Sequence, residues 1–215
     1  IIETLGNEIV LGIPLGIGKP NYLVNALYKR VKKNKKISLT ICTALTLEKP
    51  KPKSDLEKRF LNPFIKRVFG DYPDLQYELD RTKGKLPNNI KVIEFYFPPG
   101  KYMNDSLSQQ NYISSNFTHV CRDMLDRNIN LIMQMVAAED GQISFSCNAD
   151  TTGDMIPLMR EKDYPSLVVA QVNQNLPFMY GDAVVNEELF DIIVDRSEDY
   201  FKIFGPPKMS IPDAD

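Results

Sequence analysis

The chain has 215 residues, which is enough for one large domain or two small ones. With 43% hydrophobic and 25% charged residues, its composition is that of a globular protein rather than a disordered or fibrous one. A formal net charge of -2 gives no reason to expect binding to nucleic acid or to a membrane surface.

Short apolar runs alternate along the chain with helical patterns. Strands are predicted at Glu8–Leu11, Ile37–Cys42, Ile90–Phe97, Ile129–Ala137, Leu167–Val172 and Phe190–Val194. Most of these runs are apolar on both faces, which is typical of parallel strands covered by helices on each side. The sequence therefore predicts an α/β domain with a mostly parallel sheet flanked by helices.

Helices are predicted between the strands at Asn21–Val31, Ser54–Val68, Thr118–Asp126 and Thr151–Arg160. The first begins directly after Pro20, where a missing N–H costs little. The second opens with Ser54 three residues before Glu57, which is a capping-box pattern. Because proline cannot donate within a helix, Pro63 is expected to kink or end this second helix.

Cys42, Cys121 and Cys147 are far apart and lack the spacing of a zinc site, so they are interpreted as reduced thiols and no metal is expected. No apolar run approaches the length of ~20 residues that a membrane span needs, and no signal segment opens the chain. These features predict a cytoplasmic protein.

A glycine-rich turn, Gly12–Pro20, joins the first strand to the first helix, where backbone N–H groups can face an anion. Ile13 and Pro20 stand where a Walker loop needs glycine and Ser or Thr, and Asn21 replaces the third glycine of a dinucleotide loop. Two interpretations stay open at this point. The turn is either a tight steric connection or a contact to a ligand.

Polar segments follow two later strands, at Ser146–Thr151 and Gln171–Asn175. In an open parallel sheet the carboxyl ends of strands border the ligand crevice, so these side chains either bind a ligand or cap turns and helices. His119 is predicted to lie where a polar loop enters a helix. The alternative, an isomerase or hydrolase built around His119, would need a nucleophile and a carboxylate beside it.

Six stretches resemble a single family: Leu15–Pro20, Phe69–Pro73, Glu94–Phe97, Ser114–His119, Gln171–Asn173 and Leu176–Asp182. They are similar to the N-terminal domain of the bacterial acetyl-CoA hydrolase/transferase family. The similarity extends from about Gly12 to Pro207. It implies a CoA-transferase domain related to ribose-5-phosphate isomerase-like α/β proteins.

Enzymes of this kind move CoA from an acyl-CoA to a free carboxylate. The resemblance implies that a glutamate in a C-terminal domain attacks the thioester and becomes first an acyl anhydride and then a glutamyl-CoA thioester. None of the acids in this chain, Glu94 included, corresponds to that nucleophile. CoA is a substrate here, and no separate cofactor is expected.

The domain boundaries follow from the same resemblance. Residues 1–207 are expected to form the N-terminal domain, and residues 208–215 to begin a linker to an absent C-terminal domain. The chain alone is therefore expected to be inactive. Its expected partners are an acyl-CoA, a small carboxylate, the C-terminal half and a second copy in a homodimer, with no nucleic acid and no membrane.

The residues implied to line the acyl and carboxylate side of the cleft are Pro14, Gly16, Gly18, Lys19, Asn148, Asp150, Gln171, Asn173, Gly181 and Asp182. No catalytic residue is assigned within this chain. The alternative function is that of a non-catalytic α/β domain that binds CoA or an organic anion.

Overall fold

A computed structural model describes residues 1–202, which form eight strands and seven α-helices. The strands are β1 (Glu8–Gly12), β2 (Ser38–Thr43), β3 (Ile90–Glu94), β4 (Leu131–Glu139), β5 (Gln142–Ser144), β6 (Leu167–Val172), β7 (Val184–Val185) and β8 (Ile192–Val194). The helices are α1 (Ile2–Leu5), α2 (Asn21–Lys33), α3 (Asp55–Val68), α4 (Gln76–Arg81), α5 (Ser106–Gln110), α6 (Val120–Leu125) and α7 (Thr152–Arg160). The predicted linker at 208–215 lies outside the described residues.

Six strands form one parallel sheet in the order β3-β2-β1-β4-β6-β8. At the end of β4 an antiparallel extension is added, in which β4 pairs with β5 and β5 pairs with β7. One face of the sheet packs on a core that includes Leu27 and Val31 of α2, and the other on a core that includes Met124 and Met159. The predicted fold class, an α/β domain with a mostly parallel sheet flanked by helices, is confirmed.

The course of the sheet reverses at β1. From β1 the chain passes to β2 and β3 on one side, and then returns to place β4 on the other side of β1. The loops that leave β1 and β4 therefore turn in opposite directions. In open parallel sheets a crevice forms at such a switch point, outside the carboxyl ends of the strands.

Helix α2 forms because its apolar residues recur at helical spacing. Val24, Leu27, Tyr28 and Val31 are all buried against the sheet. The predicted helix at Asn21–Val31 is thus confirmed, and it continues for two further residues.

Helix α3 begins and ends as predicted, with Ser54 accepting a hydrogen bond from the N–H of Glu57 at 3.2 Å. Of the two expected effects of Pro63, an end of the helix does not occur, since the helix continues to Val68. Helix α3 has no buried residue, so the backbone carbonyl that Pro63 leaves without a donor can bind water instead.

An exposed apolar row lies along α3. Leu56 and Phe60, which are four residues apart, have 78% and 77% of their surfaces exposed, and Phe64 continues the row. Single exposed apolar residues are ordinary, but a row at helical spacing marks a surface suited to a partner. No helix within residues 1–202 is both long enough and apolar enough to cross a membrane.

A buried ion cluster joins α4 to the edge of the sheet. Arg81 Nη1 lies 2.7 Å from Glu94 Oε2, and Arg81 Nε donates to Glu78 Oε2 at 2.8 Å. Lys101 Nζ lies 2.9 Å from Glu78 Oε1, and the ring of Tyr102 packs under the Arg81 guanidinium. Glu94 is thus a buried carboxylate paired with Arg81.

The charges in this cluster compensate one another. Burial by itself would lower the pKa of Arg81, but the carboxylates of Glu94 and Glu78 outweigh that effect and raise the pKa above its usual value. Arg81 therefore stays charged; it neutralises Glu94, which has no other ion pair among the described residues, and shares Glu78 with Lys101.

We predict that Arg81→Met is severely destabilising. The buried Glu94 carboxylate would lose its cation and Glu78 would keep only Lys101, and breaking a buried pair in this way typically costs about 3–5 kcal/mol. Lys58→Met is the matched control, because Lys58 pairs with Asp55 on the exposed surface of α3 and such pairs are worth at most about 1 kcal/mol. The loss of stability in each variant is measured as the change in free energy of unfolding in urea. Equal losses in the two variants would contradict the prediction.

Candidate functional site

The glycine turn that follows β1 lies at the switch point of the sheet. It consists of residues 13–19 and includes a short 3-10 helix at Gly16–Gly18. The turn is anchored to the neighbouring strand, because Ile13 N–H donates to the carbonyl of Cys42 at 3.1 Å. Three of the residues predicted to bind substrate, Pro14, Gly16 and Gly18, are buried in this turn.

Two polar side chains from the loop before α7 clamp the glycine turn. Asp150 Oδ2 accepts a hydrogen bond from the N–H of Leu15 at 2.9 Å, and Asn148 Nδ2 donates to the carbonyl of the same residue. The structure thus brings two of the predicted site stretches, residues 14–19 and 148–150, into contact. We call Leu15, Asn148 and Asp150 the clamp.

Glycine is required at two positions of the turn for different reasons. Gly16 has φ +61, a left-handed conformation that side chains with a Cβ rarely adopt. Gly18 has an ordinary φ, but a Cβ there would lie 2.5 Å from the backbone oxygen of Asn148. Both positions therefore need glycine, as the interpretation of the turn as a tight steric connection requires.

Gln134, which was not predicted to belong to the site, supports the clamp from the central strand β4. Its Nε2 donates to the backbone carbonyl of Asn148 at 3.2 Å, and its Oε1 accepts a hydrogen bond from Thr152 Oγ1 at 2.7 Å. It thereby ties the clamp loop and the start of α7 to the sheet. The sequence feature that could have identified Gln134 is a glutamine inside an otherwise apolar predicted strand, because a buried amide needs hydrogen-bond partners.

A small cavity lies beside the clamp. Its walls come from the ends of β1 and β2, from β4, and from the residues that open α7, and they include Pro14, Thr43, Phe95, Asp150 and Thr152. Its volume is about 30 Å³, which admits one or two water molecules.

Asp150 presents one oxygen to this region without a partner. Its Oδ1 is buried and has no hydrogen-bond partner among the described residues. Burial raises the pKa of Asp150, while the backbone N–H of Leu15, the charge of Lys19 and the backbone N–H of Thr151 act in the opposite direction. The carboxyl is thus suited to hold a water molecule or a polar atom of a ligand.

Lys19 is fully buried at the end of the turn. Its Nζ donates to the carbonyl of Ala44 at 2.6 Å and to that of Leu45 at 3.4 Å. Burial lowers the pKa of Lys19 to about 7, although the charges of Glu94 and Asp150 oppose the shift. The structure places Lys19 as a support that joins the glycine turn to the loop after β2.

Two residues at the clamp have a strained backbone. Leu45, whose carbonyl accepts hydrogen bonds from Gly16 N–H and Lys19, has φ 43, and Asp150 has φ 53. Residues other than glycine adopt such conformations at a cost, and they cluster at functional sites. Leu45 was not predicted to belong to the site, because leucine carries no sequence signal for positive φ.

Gln171 and Asn173 end β6 at the same edge of the sheet, but both are buried. Gln171 Oε1 accepts a hydrogen bond from Leu23 N–H at 3.2 Å, in the first turn of α2. Asn173 Nδ2 donates to the carbonyl of Phe201 at 3.0 Å. Gln171 therefore caps α2 from outside, since Pro20 makes no side-chain cap there.

Gly181 and Asp182 lie in an exposed 3-10 helix that leads into β7. The preceding segment is fixed to the antiparallel extension, where Ser144 Oγ donates to the carbonyl of Met179 at 2.7 Å and Ser146 Oγ donates to that of Pro177 at 2.8 Å. Within residues 1–202 no hydrogen bond joins Gly181 or Asp182 to the glycine turn or to the clamp.

His119 precedes α6, and its Nδ1 lies 2.8 Å from Asn116 Oδ1 and 3.0 Å from Thr118 Oγ1. The nearby Cys121 contacts the carbonyl of Thr151 instead of His119. This arrangement gives no support to a hydrolase built around His119. The described part of the chain also holds no cluster of His, Cys, Asp and Glu that could bind a metal ion.

The fold is similar to that of RipA from Yersinia pestis, with a TM-score of 0.63 and 18% sequence identity over 98% of this chain and 42% of RipA. A RipA mutant matches at 19% identity over 99% of this chain and 44% of the mutant, also with a TM-score of 0.63. The 4-hydroxybutyrate CoA-transferase (abfT-2) from Porphyromonas gingivalis matches at 16% identity, with a TM-score of 0.49, over 91% of this chain and 37% of that protein.

No protein-family model and no curated protein matches the sequence. At these identities the solved structures show the fold alone, which is that of RipA over 98% of this chain. The chain spans less than half the length of RipA.

We predict that Gly18→Ala destabilises the protein, because the added Cβ would meet the backbone oxygen of Asn148 and force the clamp apart. Gly153→Ala is the control, since its Cβ would make only an ordinary contact of 3.6 Å with Phe145 and alanine favours helix α7. We expect a loss of about 1–3 kcal/mol for Gly18→Ala and none for Gly153→Ala, measured by thermal unfolding. A harmless Gly18→Ala would contradict this geometry.

Burial of Lys19 predicts a specific dependence of stability on pH. The unfolded chain holds the Lys19 proton up to about pH 10.4, whereas the folded chain releases it near pH 7. Between these values the unfolded state binds more protons, so the Lys19 contribution to the free energy of unfolding rises with pH.

Lys19→Met removes this titration, and the difference in free energy of unfolding between the original protein and the variant should rise from about pH 7 to about pH 9.5. Urea unfolding at several pH values measures this difference in free energy of unfolding. The exposed Lys33→Met serves as the control and should show a constant difference. A constant or falling difference for Lys19→Met would refute the burial of a neutral lysine.

Proposed function

We propose that this chain forms the N-terminal half of an acyl-CoA:carboxylate CoA-transferase or acetyl-CoA hydrolase. In this proposal it supplies one wall of the cleft, and a glutamate in a C-terminal half supplies the nucleophile. The substrates are an acyl-CoA and a small carboxylate or water, and the assembled enzyme is a homodimer.

One observation carries the proposal: stretches that resemble the family meet at the carboxyl edge of the parallel sheet. Leu15–Pro20 follows β1. Glu94–Phe97 begins at the last residue of β3, and Gln171–Asn173 begins within β6 and extends one residue beyond it. The first of these stretches lies at the switch point of the sheet and is held by Asn148 and Asp150. Ligands of open parallel sheets bind at this edge, which supports a substrate-binding role for the clamped turn.

The predicted site residues divide into two groups under this proposal. Pro14, Gly16, Gly18 and Asn148 fix the shape of the clamped turn, and Asp150 meets substrate with its free Oδ1 as the polar contact. The buried side chains Lys19, Gln171 and Asn173 act as positioning residues, because each is committed to a backbone partner. Gly181 and Asp182 are not hydrogen-bonded to the clamped turn, so they contact substrate only if the other half of the enzyme holds it against them.

The small size of the cavity fits an incomplete site. A volume of about 30 Å³ holds water rather than an acyl group, whereas pockets for ordinary ligands measure about 300–1,000 Å³. We therefore propose that the acyl pocket forms between this surface and the C-terminal half. The exposed apolar row of α3 is a candidate for burial in the homodimer.

The test is exchange of CoA between acetyl-CoA and labelled acetate. The purified chain should give no exchange above background, because loss of a covalent nucleophile typically costs several orders of magnitude in rate. Addition of the glutamate-bearing half should restore exchange. In the restored enzyme Asp150→Asn should lower kcat/KM by about tenfold or more, since the charge beside the substrate is lost.

Asp163→Asn, at an exposed acid outside the site, is the control and should leave exchange unchanged. Robust exchange by the chain alone, abolished by changing one of its own carboxylates, would refute the proposal. CoA binding without exchange, even after the glutamate-bearing half is added, would instead favour a non-catalytic binding domain.

A further inference from the structure

The outer face of α3 carries the exposed apolar residues Leu56, Phe60 and Phe64, which we call the α3 row. They are four residues apart, so they fall on one side of the helix and extend about 12 Å along its axis. The inner side of α3 is held by other residues, because Ile65 and Val68 pack on the core. The apolar side chains of α3 therefore point in two directions, one set into the protein and the other out of it.

Two arginines flank the α3 row. Arg59 lies three residues after Leu56, and Arg67 lies three residues after Phe64, so each side chain leaves the helix beside the row. Both arginines are exposed, and neither forms an ion pair among the described residues. The row is thus an apolar strip bordered by positive charge that this chain does not neutralise.

The charge of this part of the chain differs from the average. Residues 48–67 contain seven lysines and arginines against three aspartates and glutamates, although the whole chain has a net charge of -2. Asp55 already pairs with Lys58 at 2.9 Å, and the Glu57 carboxylate accepts a hydrogen bond from the N–H of Lys53. The net charge, on which the expectation of no membrane partner rests, hides this local excess of positive charge.

We propose that α3 docks on an anionic lipid surface and lies in the plane of the interface. The α3 row enters the boundary between headgroups and acyl chains, and Arg59 and Arg67 contact lipid phosphates. Helices that bind membranes in this way combine exposed Phe and Leu on one face with Lys and Arg elsewhere, at low overall hydrophobicity. No residue of the clamp takes part, so this inference is independent of the proposed CoA transfer.

Charge decides between a lipid surface and a second copy of the chain as the occupant of the α3 row. A two-fold contact between two rows would bring together the unpaired Arg59 and Arg67 of both copies, and like charges across an interface oppose association. Anionic headgroups compensate the same charges, and each Lys or Arg near such a surface strengthens binding by about fivefold. If the homodimer of the proposed function forms, it then uses another surface.

The chain contains no tryptophan, so Phe60→Trp introduces a single fluorescent probe into the α3 row. Vesicles of equal parts phosphatidylcholine and phosphatidylglycerol should shift its emission to shorter wavelength, and the shift should saturate with lipid. Met103→Trp is the matched control, because Met103 is 73% exposed outside α3, and its emission should not shift. Vesicles of phosphatidylcholine alone should bind Phe60→Trp at least about tenfold more weakly. No shift with anionic vesicles, or equal affinity for both kinds, would overturn the proposal.

Two further variants test the apolar and the charged part of the surface by co-sedimentation with the anionic vesicles. Phe60→Ser should weaken binding at least about tenfold, and Arg67→Gln about fivefold. Lys33→Gln, at an exposed lysine that ends α2, should leave binding unchanged. Because Phe60, Arg67 and Lys33 are all exposed, circular dichroism should show the same fold in each variant.

Light scattering of the chain without lipid measures the competing occupant. A monomer, or a dimer that Phe60→Ser leaves intact, agrees with the proposal. A dimer that Phe60→Ser dissociates, together with no sedimentation on anionic vesicles, would assign the α3 row to a second copy and refute the lipid surface.

Discussion

The contact between Leu15 and the side chains of Asn148 and Asp150 is the interaction on which the rest of the site depends. It fixes both backbone polar groups of Leu15, so the glycine turn cannot rotate without breaking two hydrogen bonds. Gly18 then has room only for a hydrogen atom, and Lys19 is held under the turn. The same contact aligns the loop before α7 with the end of β1, which defines the crevice at the switch point.

Buried polar groups are concentrated at the carboxyl edge of the sheet, while the amino-terminal side of the core is apolar. The group at this edge comprises Lys19, Asn21, Thr43, Thr46, Glu94, Gln134, Ser146, Thr152, Gln171 and Asn173. Most of them hold backbone carbonyls or N–H groups of loops, which leaves those loops little freedom. The edge is therefore a rigid framework in which few polar atoms, Asp150 Oδ1 among them, lack a partner among the described residues.

The sheet was predictable from the sequence because its strands are apolar on both faces, and Leu167–Val172 matches its prediction at both ends. The short strands Gln142–Ser144 and Val184–Val185 and the helix Gln76–Arg81 were missed, since tertiary pairing and the Glu78–Arg81–Glu94 charges stabilise them rather than local pattern. The pairing of the glycine turn with residues 148–150 was anticipated only as a shared edge. Which polar atoms remain without a hydrogen-bond partner depends on distances in the folded structure. These distances cannot be read from residue spacing along the chain.

The clamp also constrains the order of events during folding. Its hydrogen bonds join residues that are 133 and 135 positions apart, and the bond from Leu23 to Gln171 spans 148 positions. Contacts this distant form only after the entropy of closing a long loop has been overcome, so they tend to form late. During synthesis the glycine turn leaves the ribosome long before Asn148 and Asp150 exist. Until Asn148 and Asp150 have been synthesised, the glycine turn is flexible and lacks its final geometry. A chaperone would therefore encounter the turn as an open loop.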